Sequence, residues 1–411
     1  MDRQRPPLNK PLFIASEQTE YSCASDFAAQ AQHPFKSQIQ TRTKYNLFHP
    51  FCADHPIPNN PTLISQPFAY PLARSAVRRG MTGRSGMTQP DGAALVMGTA
   101  PFAFRPLDNW GRLPPDIELK DVAGIAVDAK DRVYLFNRGD HPVVVLDRHG
   151  DFITSWGHGQ FVNAHGAHIG ADQCIYLTDN GNHTVRKFSL DGTLLLSIGN
   201  EGKPAPFMSG QPFCRCTHTA LAPNGDIYVS DGYGNAAVHK YDPSGRHLFS
   251  WGQPGTGPGE FNLPHNICCD ADGLVYVADR ENHRVQIFDG QGRYQSQINN
   301  MHRPSGLAIV QGPCPCCIVG ELKAYQPVNR LTPNLGARIS FVDHNSQLVS
   351  RLDRGMGAGS EAGQFISPHS ITLDSHGDLY VGEVVQADWA AVFPDTEMPD
   401  KPRRFQKFAR V

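Results

Sequence analysis

A hairpin motif that recurs along the chain constrains its fold more than any other feature. Five segments carry it: VAGIAVDAKDRVYLFNRG, AHGAHIGADQCIYLTDNG, THTALAPNGDIYVSDGYG, PHNICCDADGLVYVADRE and PHSITLDSHGDLYVGEVV. Each joins a short apolar strand, through a turn rich in Asp, Asn or Gly, to a second strand of the form hydrophobic-Tyr-hydrophobic. Turn residues flanked by alternating strands are the signal of an antiparallel hairpin. A third strand follows as HTVRKFSLDG, AAVHKYDPSG or HRVQIFDGQG, and a fourth as LLLSIG, HLFSWG or YQSQI. Four strands in a unit of roughly 40–60 residues predict a propeller blade, which buries its faces only against its neighbours. RPSGLAIV, with a degraded remainder, supplies a fifth unit ahead of the last and brings the number to six. The expected fold class is all-β, a six-bladed β-propeller over residues 115–395, with 91–114 as a lead-in segment and 396–411 as a C-terminal tail.

Residues 1–90 have a different texture. They hold 11 of the 33 prolines and show neither helical nor strand periodicity, so they read as a disordered or non-native N-terminal extension. ARSAVRRG has the composition of a mitochondrial presequence, against which stand Glu17, Glu20 and Asp26; a true start at Met81 or Met87 is a further reading. The net charge of −2 argues against a dedicated nucleic-acid binder. No apolar run reaches transmembrane length and the N-terminus lacks a secretory pattern, so no membrane association and a cytoplasmic location are expected, with the protein a monomer. The ten cysteines agree: Cys268 and Cys269 are adjacent, Cys214 and Cys216 form CxC, and Cys314, Cys316 and Cys317 crowd one loop. A secreted disulfide framework spaces its cysteines more widely, and the Cys314–Cys317 cluster lacks the second pair that a zinc site needs, so reduced thiols are expected.

The chemistry emerges when the repeats are aligned on the Tyr of their second strands. Counting back eleven residues reaches His165, His265 and His369 in three units and Ala123 and Thr217 in two others, with Ser305 taking the place in the fifth. In blade order the position reads Ala, His, Thr, His, Ser, His, at the start of the strand that lines the central channel. Alternate blades of a six-fold ring lie roughly 120° apart, so three imidazoles converge on the axis. That arrangement suits a three-histidine metal site with open positions, able to polarise an oxygen or acidify a bound hydroxyl. His183 and His283, in Asn-His repeat positions, read as ordinary blade residues, and His168 and His218 as structural or supporting ones. At the end of the second strand, Arg138 in FNRGDH and Arg280 in ADREN share one blade position, while SDGYGN offers Tyr233 in a turn. A rim Arg alone is ordinarily a solvated charge, and a rim Tyr ordinarily packing.

GEFNLPHNICCDADGLVYVADRENHRVQIFD resembles the NHL repeat, from its Gly-Phe opening to its Asn-His-Arg-Val third strand. Over about residues 115–390 the whole pattern resembles peptidyl-α-hydroxyglycine α-amidating lyases, which are six-bladed NHL propellers. The motifs that carry the resemblance are AHG at His165, LPHN at His265, SPHS at His369, Ser-Asp-Gly-Tyr at Tyr233, and RGDH and ADREN at Arg138 and Arg280. The resemblance implies zinc, or another transition metal, on His165, His265 and His369, with Tyr233, Arg138 and Arg280 as catalytic residues. It departs at Ser370, where the family has an Asp that helps bind calcium, which counts against calcium here. Gly234 stands where the family has the cysteine that pairs with the Cys214 position, and Tyr276 and Ile287 replace the second pair. Both losses agree with a reducing compartment. No copper monooxygenase segment precedes the propeller, so the source of a hydroxyglycine peptide is expected elsewhere.

The implied reaction breaks a carbinolamide, N–CH(OH)–CO₂⁻, into an amide and glyoxylate, on a small-molecule or peptide-like substrate. It needs a base for the hydroxyl proton and stabilisation of the resulting oxygen charge. A phenol titrates near about 10 in water, so a tyrosine base needs a guanidinium beside it. One of Arg138 and Arg280 meets that need and the other grips the substrate carboxylate, with the two roles open between them. Two rival classes stay open on the sequence: a non-catalytic binding scaffold, and a metal-dependent lactonase or other hydrolase, since propellers host both. An all-histidine set favours a transition metal over the calcium of carboxylate-lined lactonases.

Overall fold

The computed structural model describes residues 95–310, 316–355 and 357–411. They form six antiparallel sheets, five of four strands and one of five. The expected extension over 1–90 and the position of Cys314 lie outside the described residues. The second blade illustrates the plan: Ala164–Ile169 innermost, then Cys174–Asp179, Thr184–Ser189 and Leu194–Gly199 at the rim. The innermost strands of the six blades begin at Val122, Ala164, Cys216, Pro264, Pro304 and Pro368. Inner strands are largely buried, whereas the outermost strand of the second blade is largely exposed, because only the inner strands have a sheet on both sides.

The core lies between blades. Tyr134, Phe136, Val143 and Val145 of the first blade pack on Ala167, Ile175, Leu177 and Phe188 of the second. A repeated polar staple at the end of each second strand fixes the loops that lead into the channel. Asp179 accepts the N–H of Val162 at 2.8 Å, Asp231 that of Cys214 at 2.8 Å, and Asp279 that of Asn262 at 2.7 Å. Glu321 accepts the N–H of His302 at 2.6 Å and Glu383 that of Ile366 at 2.7 Å. Third-strand cations complete several of these, as in Arg284–Asp279 at 2.7 Å and Arg338–Glu321 at 2.8 Å. Burying a carboxylate is costly without such partners. The repeat thus encodes the rigidity of the channel mouth three residues after its Tyr.

Two expectations need correction. The propeller does not stop at 115 and 395: the sixth sheet runs Pro368–Leu373, Leu379–Glu383, Phe405–Arg410, Phe102–Pro106 and Met97–Thr99. Part of the supposed lead-in and the supposed tail are therefore its outer strands. Closure of a ring pairs the two ends of the fold, and neither end carries the hairpin signal that marks the other blades. The fifth blade is also complete, with strands Pro304–Val310, Cys316–Glu321, Arg338–Asp343 and Leu348–Leu352. Ile318 stands where the other blades have Tyr, opposite Ala308, and its hairpin is two residues longer, which hid it from the alignment. Cys316 and Cys317 lie buried in its second strand, not in a loop.

Closure makes a prediction. Phe104 is buried and stacks on Phe341 of the fifth blade at 5.5 Å, while its strand pairs with Phe405–Arg410. Phe104→Ala is expected to lower unfolding free energy by about 3–5 kcal/mol, the usual range for emptying a buried phenylalanine site. Urea denaturation measures this. A loss below about 1 kcal/mol would mean that the ring closes without that strand.

Candidate metal centre and its cavity

His165, His265 and His369 each occupy the second position of an innermost strand, in alternate blades. All three are buried, and their ligand atoms lie within 4.8 Å of one another. Ring centroids are 4.6–5.0 Å apart. The three positions that are not histidine in the same six-fold set take part as well. His165 Nδ1 bonds to the carbonyl of Thr217 at 2.6 Å, His265 Nδ1 to that of Ser305 at 3.2 Å, and His369 Nδ1 to that of Ala123 at 2.7 Å. A carbonyl only accepts, so each Nδ1 carries the proton and each Nε2 presents a lone pair. Each histidine is thereby oriented by its counterpart in the next blade.

Burial keeps these imidazoles neutral. It pushes His165 and His265 well below the usual range, helped for His165 by His369 and then Arg138, and for His265 by Arg280 and then the other two histidines. His369 is pushed down to about 3, by burial and then by Arg138. The neutral form is the one that ligates a metal.

Tyr233 reaches over the group. Its Oη lies 3.2 Å from His165 Nε2 and 3.2 Å from His265 Nε2, and accepts from Arg280 Nη1 at 3.3 Å. A phenol has one hydrogen, so it satisfies only one of two lone pairs at equal distance. Converging unprotonated nitrogens with one hydrogen to share fit a cation bound among them. The donor set, three neutral imidazoles, suits zinc or a related transition metal rather than calcium. Ser370, at the position where calcium was discounted, accepts the N–H of Ile125 at 3.0 Å.

Arg138 and Arg280 each follow a second strand directly, and both line the same cavity as Tyr233 and His369. They are not equivalent. Arg280 touches Tyr233 and pairs with Glu281 at 2.8 Å, whereas Arg138 bonds the carbonyl of Ala164 at 3.1 Å and Asp121 at 3.3 Å. Glu281 also pairs with Arg303 at 2.9 Å, and these cations hold its carboxyl down at about 2.

Among the cavity residues that escaped the sequence reading are Arg215, Arg303, Lys323 and Tyr325. Arg215 sits between two cysteines at a φ of 65°, and Lys323 and Tyr325 follow the strand that lacks the usual Tyr. None has a repeat signal. A local one existed for Arg215 and Arg303: His183 and His283, ordinary by sequence, accept their backbone N–H groups at 3.0 and 3.1 Å. His168 and His218 lie elsewhere, along a second cavity of about 250 Å³ lined by the later halves of the innermost strands.

The NHL repeat model matches residues 261–288. Human NHL repeat-containing protein 3 is 33% identical over 46% of this chain and 57% of its own length. Peptidyl-alpha-hydroxyglycine alpha-amidating lyase 1 of Drosophila melanogaster is 30% identical over 56% of this chain and 44% of its own. The chain is a six-bladed propeller that carries one segment matching the NHL repeat and resembles the amidating lyases. It spans about half the length of these curated relatives. Among solved structures, a protein of unknown function from Bacteroides thetaiotaomicron is 17% identical with a TM-score of 0.50, covering 72% of this chain and 70% of that one, a likeness of fold alone. Where the lyase resemblance breaks, the structure gives the local reason. A Cβ at Gly234 would meet Cys214 Sγ at 2.3 Å, and Tyr276 and Ile287 face each other across neighbouring strands.

Proposed function

We propose that this protein is a carbon–nitrogen lyase that splits an α-hydroxyglycine-type carbinolamide into an amide and glyoxylate, with a transition metal, zinc by its ligand set, held by His165, His265 and His369. The observation that carries the reading is the position of Tyr233 Oη, 3.2 Å from two of the three histidine nitrogens and 3.3 Å from a guanidinium. A scaffold has no use for a phenol there. The lyase-like relatives support the same class of reaction.

In R–CO–NH–CH(OH)–CO₂⁻, the hydroxyl proton leaves, the C=O of glyoxylate forms, and the C–N pair departs with nitrogen. When bound, the metal polarises the oxygen that becomes the aldehyde. Tyr233 Oη, as phenolate, takes the hydroxyl proton and returns it to the departing nitrogen, so that R–CO–NH₂ and OHC–CO₂⁻ balance. Arg280 Nη1 donates to Oη at 3.3 Å and holds that oxygen in place. Arg138, on the other side of the cavity, is left to hold the substrate carboxylate by paired N–H donors. Asp121 and the Ala164 carbonyl fix its direction.

The test supplies α-hydroxyhippurate to zinc-loaded protein and follows glyoxylate. Release well above the metal-free control is expected. No release, with lactones opened instead, would assign the site to a hydrolase; neither activity would leave a scaffold.

A further inference from the structure

Three cations in this cavity, Arg215, Arg303 and Lys323, take no part in that chemistry, and two of them lack a carboxylate. Arg138 is paired with Asp121, and Arg280 and Arg303 share Glu281. Arg215 and Lys323 have no carboxylate partner among the described residues. The guanidinium of Arg215 lies 5.5 Å from the centroid of Tyr233, as does that of Arg280, and its backbone is pinned by His183. Lys323 is half-buried, and burial alone acts on its ammonium, pushing it down. In all, five cationic side chains and one carboxylate, Asp388, line a cavity of about 380 Å³.

A half-buried ammonium without a counter-charge is costly in the empty site and is relieved by an anion. The α-carboxylate of a hydroxyglycine uses one guanidinium. The remaining positive charge then faces whatever extends from the amide nitrogen, in a space suited to a small molecule.

We propose that the natural substrate is a compact dianion: an N-acyl-α-hydroxyglycine whose acyl half carries a second acidic group, recognised by Arg215 and Lys323. The proposal rests on the lyase reading for the position of the first carboxylate. A neutral peptide chain would leave both cations uncompensated, and so is disfavoured relative to a short acidic acyl group.

Binding tests this without turnover. N-succinylglycine and its neutral ω-amide, N-succinamoylglycine, both lack the α-hydroxyl and cannot be cleaved. Calorimetry on zinc-loaded protein is expected to give about tenfold or greater preference for the acid, as charge-assisted contacts imply. The preference should shrink as salt rises, and should fall several-fold in Arg215→Gln and in Lys323→Gln. Equal affinity, binding of neither compound, or a preference that survives both substitutions overturns the proposal. The two readings fail separately. Glyoxylate release without acid preference sinks this one alone, whereas acid preference without glyoxylate release sinks the lyase and with it the hydroxyglycine half of the substrate, leaving the second-anion site at Arg215 and Lys323.

Discussion

Tyr233→Phe is expected to keep fold and metal and to lose turnover of α-hydroxyhippurate by about 10²–10⁴-fold, the usual cost of removing a general base. The substitution deletes one oxygen, the atom within 3.3 Å of Arg280 and within 3.2 Å of two histidines. The ring remains, with the guanidiniums of Arg215 and Arg280 still over it. Packing therefore changes little, and a large loss must be chemical. Zinc content by elemental analysis and the thermal midpoint are the controls. Turnover at full rate in the substituted protein would leave the reaction to the metal alone and remove Tyr233 from the mechanism.

His265→Ala is expected to lower bound zinc to a small fraction of one equivalent and to abolish glyoxylate release. Its Nε2 is one of three converging donors, so its loss leaves two ligands where stable zinc sites use at least three from the protein. Perturbing even the partner of a ligand typically costs 10–100-fold in affinity. The effect must be separated from general damage, because His265 is buried and its Nδ1 bonds to the Ser305 carbonyl. His183→Ala supplies the comparison. That residue also bonds to a backbone group of the next blade, but it stands outside the three-histidine group and should retain zinc. Undiminished zinc in His265→Ala would refute the ligand assignment.

The repeat alone carried the blade count and the histidine triad. A period of Tyr-centred hairpins fixes which strand lines the channel, and strand register fixes which residue opens it. Three histidines at alternate units therefore converge without further information, and His165, His265 and His369 do so. The pairing of Arg138 with Arg280 as equivalents follows from the same register. Repetition, however, predicts only what every blade shares. The outer strands of the closing sheet, including Phe102–Pro106 and Phe405–Arg410, have no hairpin in common and were missed, although its inner hairpin was read.

What the amino-acid sequence determined by itself is local: strands, turns, and the equivalence of positions from one unit to the next, all set by short-range periodicity. The tertiary structure alone decided what depends on contacts between units. It brought Arg280, not Arg138, to Tyr233, because the turn after Asp231 belongs to the third blade, which adjoins the fourth and not the first. It also made the carbonyls of Ala123, Thr217 and Ser305 the partners of the three histidines. Arg215 and Lys323 entered the cavity through loops that differ from blade to blade. Side chains on such loops meet only when the ring closes, and no periodicity in one strand can report a neighbour two blades away.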